Sequence, residues 1–83
     1  MYWVYILECN DGTLYTGITT DVKRRVLEHQ NRTGAKYTKI RGVKKLCYQE
    51  KRPDRSLASK REYEIKQLSR EDKLKLIQST LAL

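Results

Sequence analysis

The sequence predicts an α+β fold, in which a small three-stranded, mainly antiparallel sheet is flanked by helices in the order β-β-α-β-α-α. Three observations predict it. A turn cluster divides an aromatic and β-branched N-terminal stretch, a second stretch of strand composition comes later, and two segments with helical spacing follow it. Because 83 residues have room for one hydrophobic core, a single domain over residues 1–83 is expected.

The N-terminal residues predict a β-hairpin. Residues 2–8 and 13–19 are rich in the aromatic and β-branched side chains that favour strands. Between them, residues 10–12 have the sequence Asn-Asp-Gly, a combination typical of tight turns. The two strands are therefore expected to pair through this turn.

A helix and then a basic loop are predicted after the hairpin. Thr20 or Asp21 can cap a helix that runs to about Asn31, because their side chains can accept hydrogen bonds from the first backbone N–H groups. Residues 32–42 contain two glycines, four basic residues and Tyr37, but no helical or strand period. This segment is expected to be a loop.

A third strand and two more helices complete the predicted order. Residues 43–50 have the composition of a strand. Asp54 or Ser56 can open a helix that runs through Leu68. Ser69 begins a Ser-x-x-acid arrangement that is typical of the start of a helix, and it predicts the last one.

The charge of the chain indicates a polyanionic partner. Eighteen Lys and Arg against ten Asp and Glu give a net charge of +8 and a pI near 9.7. Residues 23–52 contain eleven of the basic residues and only two acidic ones. A solvated basic surface could have the same composition. Nucleic acid is the favoured interpretation, because phosphate binding needs this concentration of Lys and Arg.

The cysteines and the N-terminus indicate a cytoplasmic protein. Cys9 and Cys47 are too few for a disulfide-rich secreted domain, and with His29 as the only histidine they do not form a zinc motif. The apolar stretch at residues 2–7 is too short for a membrane span and lacks the basic flank of a signal peptide.

Several side chains could carry chemistry, although each also has a purely structural explanation. Tyr5 and Tyr15 lie on the paired strands, where tyrosines usually serve in packing. Arg25 and His29 are one helical turn apart, which suits a phosphate and proton site but also a solvated helix surface. Glu62, on a later helix, fits an ion pair more readily than a metal site.

Two short motifs in the hairpin resemble a known family. Trp3-Val4-Tyr5, followed ten residues later by Tyr15-Thr16-Gly17-Ile18-Thr19, is similar to the paired motif of the GIY-YIG nuclease superfamily. The first triplet departs from Gly-Ile-Tyr, and the second has Thr16 as its middle residue. The tyrosines and Gly17 remain.

The resemblance continues downstream and covers essentially the whole chain. Residues 21–29 look like the superfamily's helix with an arginine and, four positions later, a histidine. Residues 58–66 look like its glutamate motif, with Glu62 as the match and Glu64 as the runner-up. Together with residues 34–38, these motifs resemble the small stand-alone bacterial members of the superfamily, the YazA/YhbQ-like group.

The resemblance implies five catalytic residues. Glu62 would hold one divalent metal, Mg²⁺ or Mn²⁺, which can keep most of its waters and needs few protein ligands. Either Tyr5 or Tyr15 would be the general base, and the sequence does not decide between them. Arg25 would contact the scissile phosphate, and His29 would orient a tyrosine or relay its proton.

A second set of residues is expected to bind the nucleic acid backbone. DNA is favoured over RNA, no membrane partner is expected, and a protein partner could supply targeting because the chain has no room for another domain. Tyr37 could stack on a base, and Gly17 would let the backbone approach closely. The predicted binding residues are Gly17, Arg32, Lys36, Tyr37, Lys39, Arg41 and Lys66.

Two functions remain open from the sequence. The first is a metal-dependent endonuclease that hydrolyses phosphodiester bonds in branched, flapped, damaged or single-stranded DNA during repair or recombination. The second is a non-catalytic DNA- or RNA-binding module that retains the fold. A protein-interaction adaptor has no specific support. The five catalytic residues at these spacings favour the endonuclease.

Overall fold

The computed structural model describes the backbone of residues 1–81 and the side chains of residues 1–79. Within this range three strands form one antiparallel sheet in the order β2-β1-β3, and helices pack on both faces. This confirms the predicted fold class. Residues 82–83 of the expected domain lie outside the described part. The elements are β1 Tyr2–Cys9, β2 Leu14–Thr19, α1 Val22–Gln30, α2 Lys36–Arg41, β3 Val43–Arg52, α3 Arg55–Lys66 and α4 Arg70–Leu81.

The central strand β1 separates two chemically different faces of the sheet. Val4 and Ile6 point to one face, where they form the hydrophobic core with Tyr48, Ala58 and Ile65. Successive strand residues point to opposite faces, so the odd-numbered residues of β1 point toward α1. This core therefore forms under α3 and α4, and the opposite face carries the buried side chains of Tyr5 and Leu7.

The register of the hairpin determines which residues meet on that second face. Tyr5 pairs directly with Gly17, and Leu7 pairs with Tyr15. Residues that are directly opposite in an antiparallel pair point to the same face. Tyr5 and Tyr15 are therefore diagonal neighbours on the face toward α1.

Three of the predicted helix caps are present. The side chain of Asp21 accepts a hydrogen bond from the N–H of Arg24, and that of Asp54 accepts one from the N–H of Leu57. The Oγ of Ser69 accepts a hydrogen bond from the N–H of Asp72. Each cap satisfies a backbone N–H that has no partner within the helix.

One prediction about local structure was wrong. Residues 36–41, expected to belong to a loop, form the short helix α2. A six-residue helix contains less than two turns, which is too short to display a helical period. Its Thr38 is fully buried, so tertiary contacts stabilise it. The third strand extends two residues beyond its predicted end, to Arg52.

An ion-pair cluster attaches α3 to the sheet. Nε of Arg61 on α3 lies 2.7 Å from Oε1 of Glu50 on β3, and Arg52 pairs with the same carboxylate. The Glu50 side chain is largely buried. A buried carboxylate with two charged partners is well compensated for its loss of hydration.

No helix among residues 1–81 is long and apolar enough to cross a membrane.

Candidate active site

Three buried side chains form a hydrogen-bonded chain between the sheet, α1 and α2. The hydroxyl oxygen of Tyr5 lies 2.8 Å from Nε2 of His29. On the other side of the ring, Nδ1 of His29 lies 2.6 Å from Oγ1 of Thr38. All three residues have 1% or less of their surface exposed. This chain connects β1 with both helices and is shielded from solvent.

Arg25 reaches the same place from α1. It is one helical turn before His29, so both side chains lie on one face of the helix. Its Nη1 lies 2.9 Å from Oε1 of Glu28, and its guanidinium also interacts with the Tyr5 hydroxyl. The tyrosine oxygen therefore has an imidazole and a guanidinium as neighbours.

The pKa values of the two central groups move in opposite directions. Burial raises the pKa of Tyr5 to about 12, although Arg25 partly opposes this shift. Burial lowers the pKa of His29 to about 4, and the positive charge of Arg25 acts in the same direction. In both cases burial disfavours the charged form. At neutral pH both side chains are therefore uncharged.

The aromatic rings of the site form a packed group. The ring of Tyr15 lies 5.3 Å from that of His29, 6.5 Å from that of Tyr5 and 5.7 Å from that of Tyr37, centroid to centroid. The guanidinium carbon of Arg41 lies 3.9 Å from the centroid of the Tyr37 ring. Tyr37, predicted to stack on a base, is thus in contact with a tyrosine and an arginine of its own chain.

Two glycines make room for the central pair. A β-carbon at position 17 would lie 2.5 Å from the Tyr5 hydroxyl oxygen, and one at position 34 would lie 2.6 Å from Nδ1 of His29. Real β-carbons do not approach other atoms so closely. Gly17 and Gly34 are therefore required by the packing of Tyr5 and His29.

Glu62 and Glu64 occupy different sides of α3. Glu62 lies close enough to Tyr5 for its negative charge to raise the tyrosine pKa. Its side chain is 24% exposed, and Oε2 lies 3.4 Å from Nζ of Lys66. Glu64 is 51% exposed and faces Arg61. Of the two carboxylates, Glu62 is the one whose charge is among those that act on the pKa of Tyr5.

The side chains near Glu62 suit a metal that is held mainly by water and substrate. No three His, Cys, Asp or Glu side chains gather into a metal cluster within residues 1–81. A single partly exposed carboxylate fits Mg²⁺ or Mn²⁺, which accept oxygen ligands and can retain several waters. The ammonium of Lys66 compensates the carboxylate charge without metal. Glu62 could therefore bind Mg²⁺ or Mn²⁺ as a single carboxylate ligand, and the ion would be held weakly.

The predicted nucleic-acid-binding residues differ in how available they are. Lys36 and Lys39 are exposed on α2, and Arg32 is exposed just before it. Arg41 is held by Asp11, with Nε 3.1 Å from a carboxylate oxygen, in addition to its contact with Tyr37. Of these residues Arg41 contacts the aromatic group directly, and Lys36 and Lys39 belong to the same helix as Tyr37.

Sequence analysis missed three residues that shape the site. Thr38 bonds to His29, Gly34 makes room for the imidazole, and Asp11 holds Arg41. Gly34 and Thr38 belong to a stretch whose resemblance to the superfamily was noted, and this was their only signal. No periodicity could reveal them, since their importance comes from contacts across elements.

Comparison with known proteins identifies one family. Residues 1–75 match the GIY-YIG catalytic domain. A UPF0213 protein of Staphylococcus epidermidis is 57% identical over 77 residues, covering 93% of this chain and 94% of the relative. A UPF0213 protein of Desulfotalea psychrophila is 52% identical over 80 residues, covering 95% of this chain and 73% of the relative.

Two solution NMR structures have the same fold. The UPF0213 protein of Bacillus halodurans superposes with a TM-score of 0.59 at 48% identity, over 94% of this chain and 84% of that chain. A protein of E. faecalis superposes with a TM-score of 0.65 at 38% identity, over 99% of this chain and 88% of that chain.

Proposed function

Because this chain belongs to the GIY-YIG catalytic domain family, a family of nucleases, we propose that it is a metal-dependent endonuclease that hydrolyses phosphodiester bonds in DNA. The proposal includes selection by nucleic acid structure, with branched, flapped, damaged or single-stranded DNA as substrates in repair or recombination. The observation that carries it is the contact of the Tyr5 hydroxyl with both His29 and Arg25.

Tyr5 is the general base in this proposal. Its hydroxyl has a proton acceptor in place, because Nε2 of His29 lies 2.8 Å away. As a water oxygen attacks phosphorus, its proton passes to the Tyr5 oxygen while the Tyr5 proton passes to Nε2. The bond from phosphorus to the 3′ oxygen breaks, and solvent protonates the departing oxygen. Tyr15, which is more exposed, is the alternative base.

The pKa values explain why the relay must be concerted with attack on phosphorus. Burial raises the pKa of Tyr5 to about 12 and lowers that of His29 to about 4, so an anionic Tyr5 beside a cationic His29 is strongly disfavoured in the resting site. That state does not accumulate. Transfer becomes favourable only as the tyrosine oxygen gains the proton of the attacking water.

Arg25 and Glu62 supply the charge that the reaction needs. Arg25 can turn its two-pronged guanidinium from Glu28 to the phosphate. In this proposal the same movement gives the attacking water access to the Tyr5 oxygen. Glu62 would hold the metal ion, which when bound neutralises charge on the phosphate and the departing oxygen. Glu62 exchanges its contact with Lys66 for this role.

The exposed basic residues bind the nucleic acid backbone in this proposal. Lys36 and Lys39 are exposed on α2, the helix that carries Tyr37 of the aromatic group, and we propose that phosphates bound there continue toward the site. Lys66 is released for the backbone when Glu62 binds the metal. DNA is the proposed polymer, and a protein partner could direct the domain to it. A cytoplasmic location is part of the proposal, since Cys9 and Cys47 are free thiols.

The test is cleavage of labelled single-stranded, flapped, nicked, branched and duplex DNA, and of RNA, with Mg²⁺ or Mn²⁺. Glu62→Ala is compared with Glu64→Ala, the matched control from the same helix. We expect wild type and Glu64→Ala to cut, and Glu62→Ala to bind without cutting. If wild type and Glu62→Ala bind alike and neither cuts, the non-catalytic binding module replaces this proposal.

A further inference from the structure

The hydroxyl of Thr38 has two polar neighbours and only one proton. Its Oγ1 lies 3.0 Å from the carbonyl oxygen of Ala35 and 2.6 Å from Nδ1 of His29. A carbonyl oxygen can only accept, and two oxygens 3.0 Å apart repel each other unless a proton lies between them. The carbonyl also accepts the N–H of Lys39 and has a second lone pair for Thr38.

The geometry therefore directs the Thr38 proton to Ala35, so toward His29 the hydroxyl oxygen is an acceptor. The imidazole must then carry its proton on Nδ1 and leave Nε2 bare. The Tyr5 end of this hydrogen-bonded series leads to the same assignment. The Tyr5 oxygen already interacts with the Arg25 guanidinium, which only donates, so the Tyr5 proton needs an acceptor, and Nε2 is in reach.

We propose that Thr38 is a positioning residue, which holds His29 in the tautomer protonated on Nδ1 and thereby makes Tyr5 a hydrogen-bond donor to Nε2. The Tyr5 proton then points toward His29, and the lone pairs of the Tyr5 oxygen are left for the proposed substrate. In the opposite tautomer Nε2 would donate to Tyr5, and the Tyr5 proton would point outward. The catalytic consequence rests on the proposed function, whereas the tautomer itself does not.

Two features of the fold serve this arrangement. Thr38 lies at the middle of α2, the short helix that the sequence did not predict, and it is fully buried. Gly34 lies against the same edge of the imidazole, where a β-carbon would be 2.6 Å from Nδ1. Gly34 and Thr38 therefore both pack against the Nδ1 edge of the imidazole ring. A third group that orients a proton-transferring imidazole is a recurrent device in catalysis.

The test is direct, because His29 is the only histidine in the chain. Untagged, ¹⁵N-labelled protein is examined at pH 7 by long-range ¹H–¹⁵N correlation, which reports which ring nitrogen carries the proton. Wild type should show a protonated Nδ1 and a bare Nε2. Thr38→Val, nearly the same shape without the hydroxyl, should lose this preference, and Thr38→Ser should keep it. A protonated Nε2 in wild type, or an unchanged tautomer in Thr38→Val, overturns the proposal.

Cleavage kinetics supply a second readout. Thr38→Val should lower kcat on the order of 10- to 100-fold with little change in KM, and Thr38→Ser should restore kcat. Equal kcat for all three proteins would overturn the catalytic consequence. If none of them cuts any substrate, the proposed function fails, and the tautomer measurement still decides the role of Thr38. The wild-type measurement needs no variant, so a Thr38→Val protein that does not fold leaves the test in place.

Discussion

Tyr5 lies directly across the β1–β2 pair from Gly17, and a β-carbon on Gly17 would lie 2.5 Å from the Tyr5 hydroxyl oxygen. The glycine of the second motif is thus matched to the tyrosine of the first. The sequence suggested that Gly17 lets nucleic acid approach. The structure adds that it lets the tyrosine ring lie flat on the hairpin.

Gly17→Ala should therefore destabilise the protein and displace Tyr5. We expect a loss of about 1 to 3 kcal/mol in the free energy of unfolding, measured with urea, because the added methyl overpacks the site. In the Tyr5→Phe background the loss should be smaller, since the closest atom is gone. If the two substitutions are strictly additive, the added methyl at position 17 does not press on the Tyr5 hydroxyl, and this explanation is wrong.

The buried imidazole should make stability depend on pH. The folded pKa of His29 is about 4, below its ordinary 6.5, so the unfolded chain takes up the proton first as pH falls. The contribution of His29 to the free energy of unfolding is complete above about pH 6.5. It is lost progressively toward pH 4, by about 3 kcal/mol in total. Urea unfolding at pH 7 and pH 5 measures the part of this loss that falls between those two pH values.

His29→Gln is the matched control for that experiment, because glutamine cannot titrate in this range. Its stability should change less between pH 7 and pH 5 than that of wild type. Equal slopes for the two proteins would assign the pH dependence to other groups and contradict the low pKa of His29.

Lys36 and Lys39 should contribute to salt-dependent binding of nucleic acid. Each lysine that contacts a phosphate of duplex DNA adds about 0.9 to the slope of log affinity against log salt concentration. The Lys36→Ala, Lys39→Ala double variant should therefore bind with a slope lower by nearly 2, measured by fluorescence anisotropy. Lys75→Ala on α4, where the ammonium pairs with Glu71, is the control. The same slope in all three proteins would place the binding surface elsewhere.

Arg61→Met should destabilise the attachment of α3 to the sheet. Glu50 is largely buried and would lose one of its two arginine partners, so we expect the free energy of unfolding to fall by about 1 to 3 kcal/mol. Arg55→Met, an exposed position on the same helix, should have little effect. Cleavage per folded molecule should fall less than in Glu62→Ala, because Arg61 attaches the helix to the sheet whereas Glu62 is the proposed metal ligand. Two equally stable arginine variants would argue against this role.

The amino-acid sequence by itself determined the local structure outside α2 and the set of reactive residue types. Strand composition, the Asn-Asp-Gly turn and the caps at Asp21, Asp54 and Ser69 depend on nearby residues, so their pattern is readable along the chain. The motif spacing also identified Tyr5, Arg25, His29 and Glu62 as candidates without knowledge of their contacts.

Only the tertiary structure decided what each candidate touches. The pairing of Tyr5 with Gly17 depends on strand register, the contact of His29 with Thr38 depends on a helix too short to show a period, and Glu50 meets Arg61 across two elements. These contacts form when burial makes an unpaired polar group costly. Burial results from the packing of the whole chain, and local sequence patterns do not specify it.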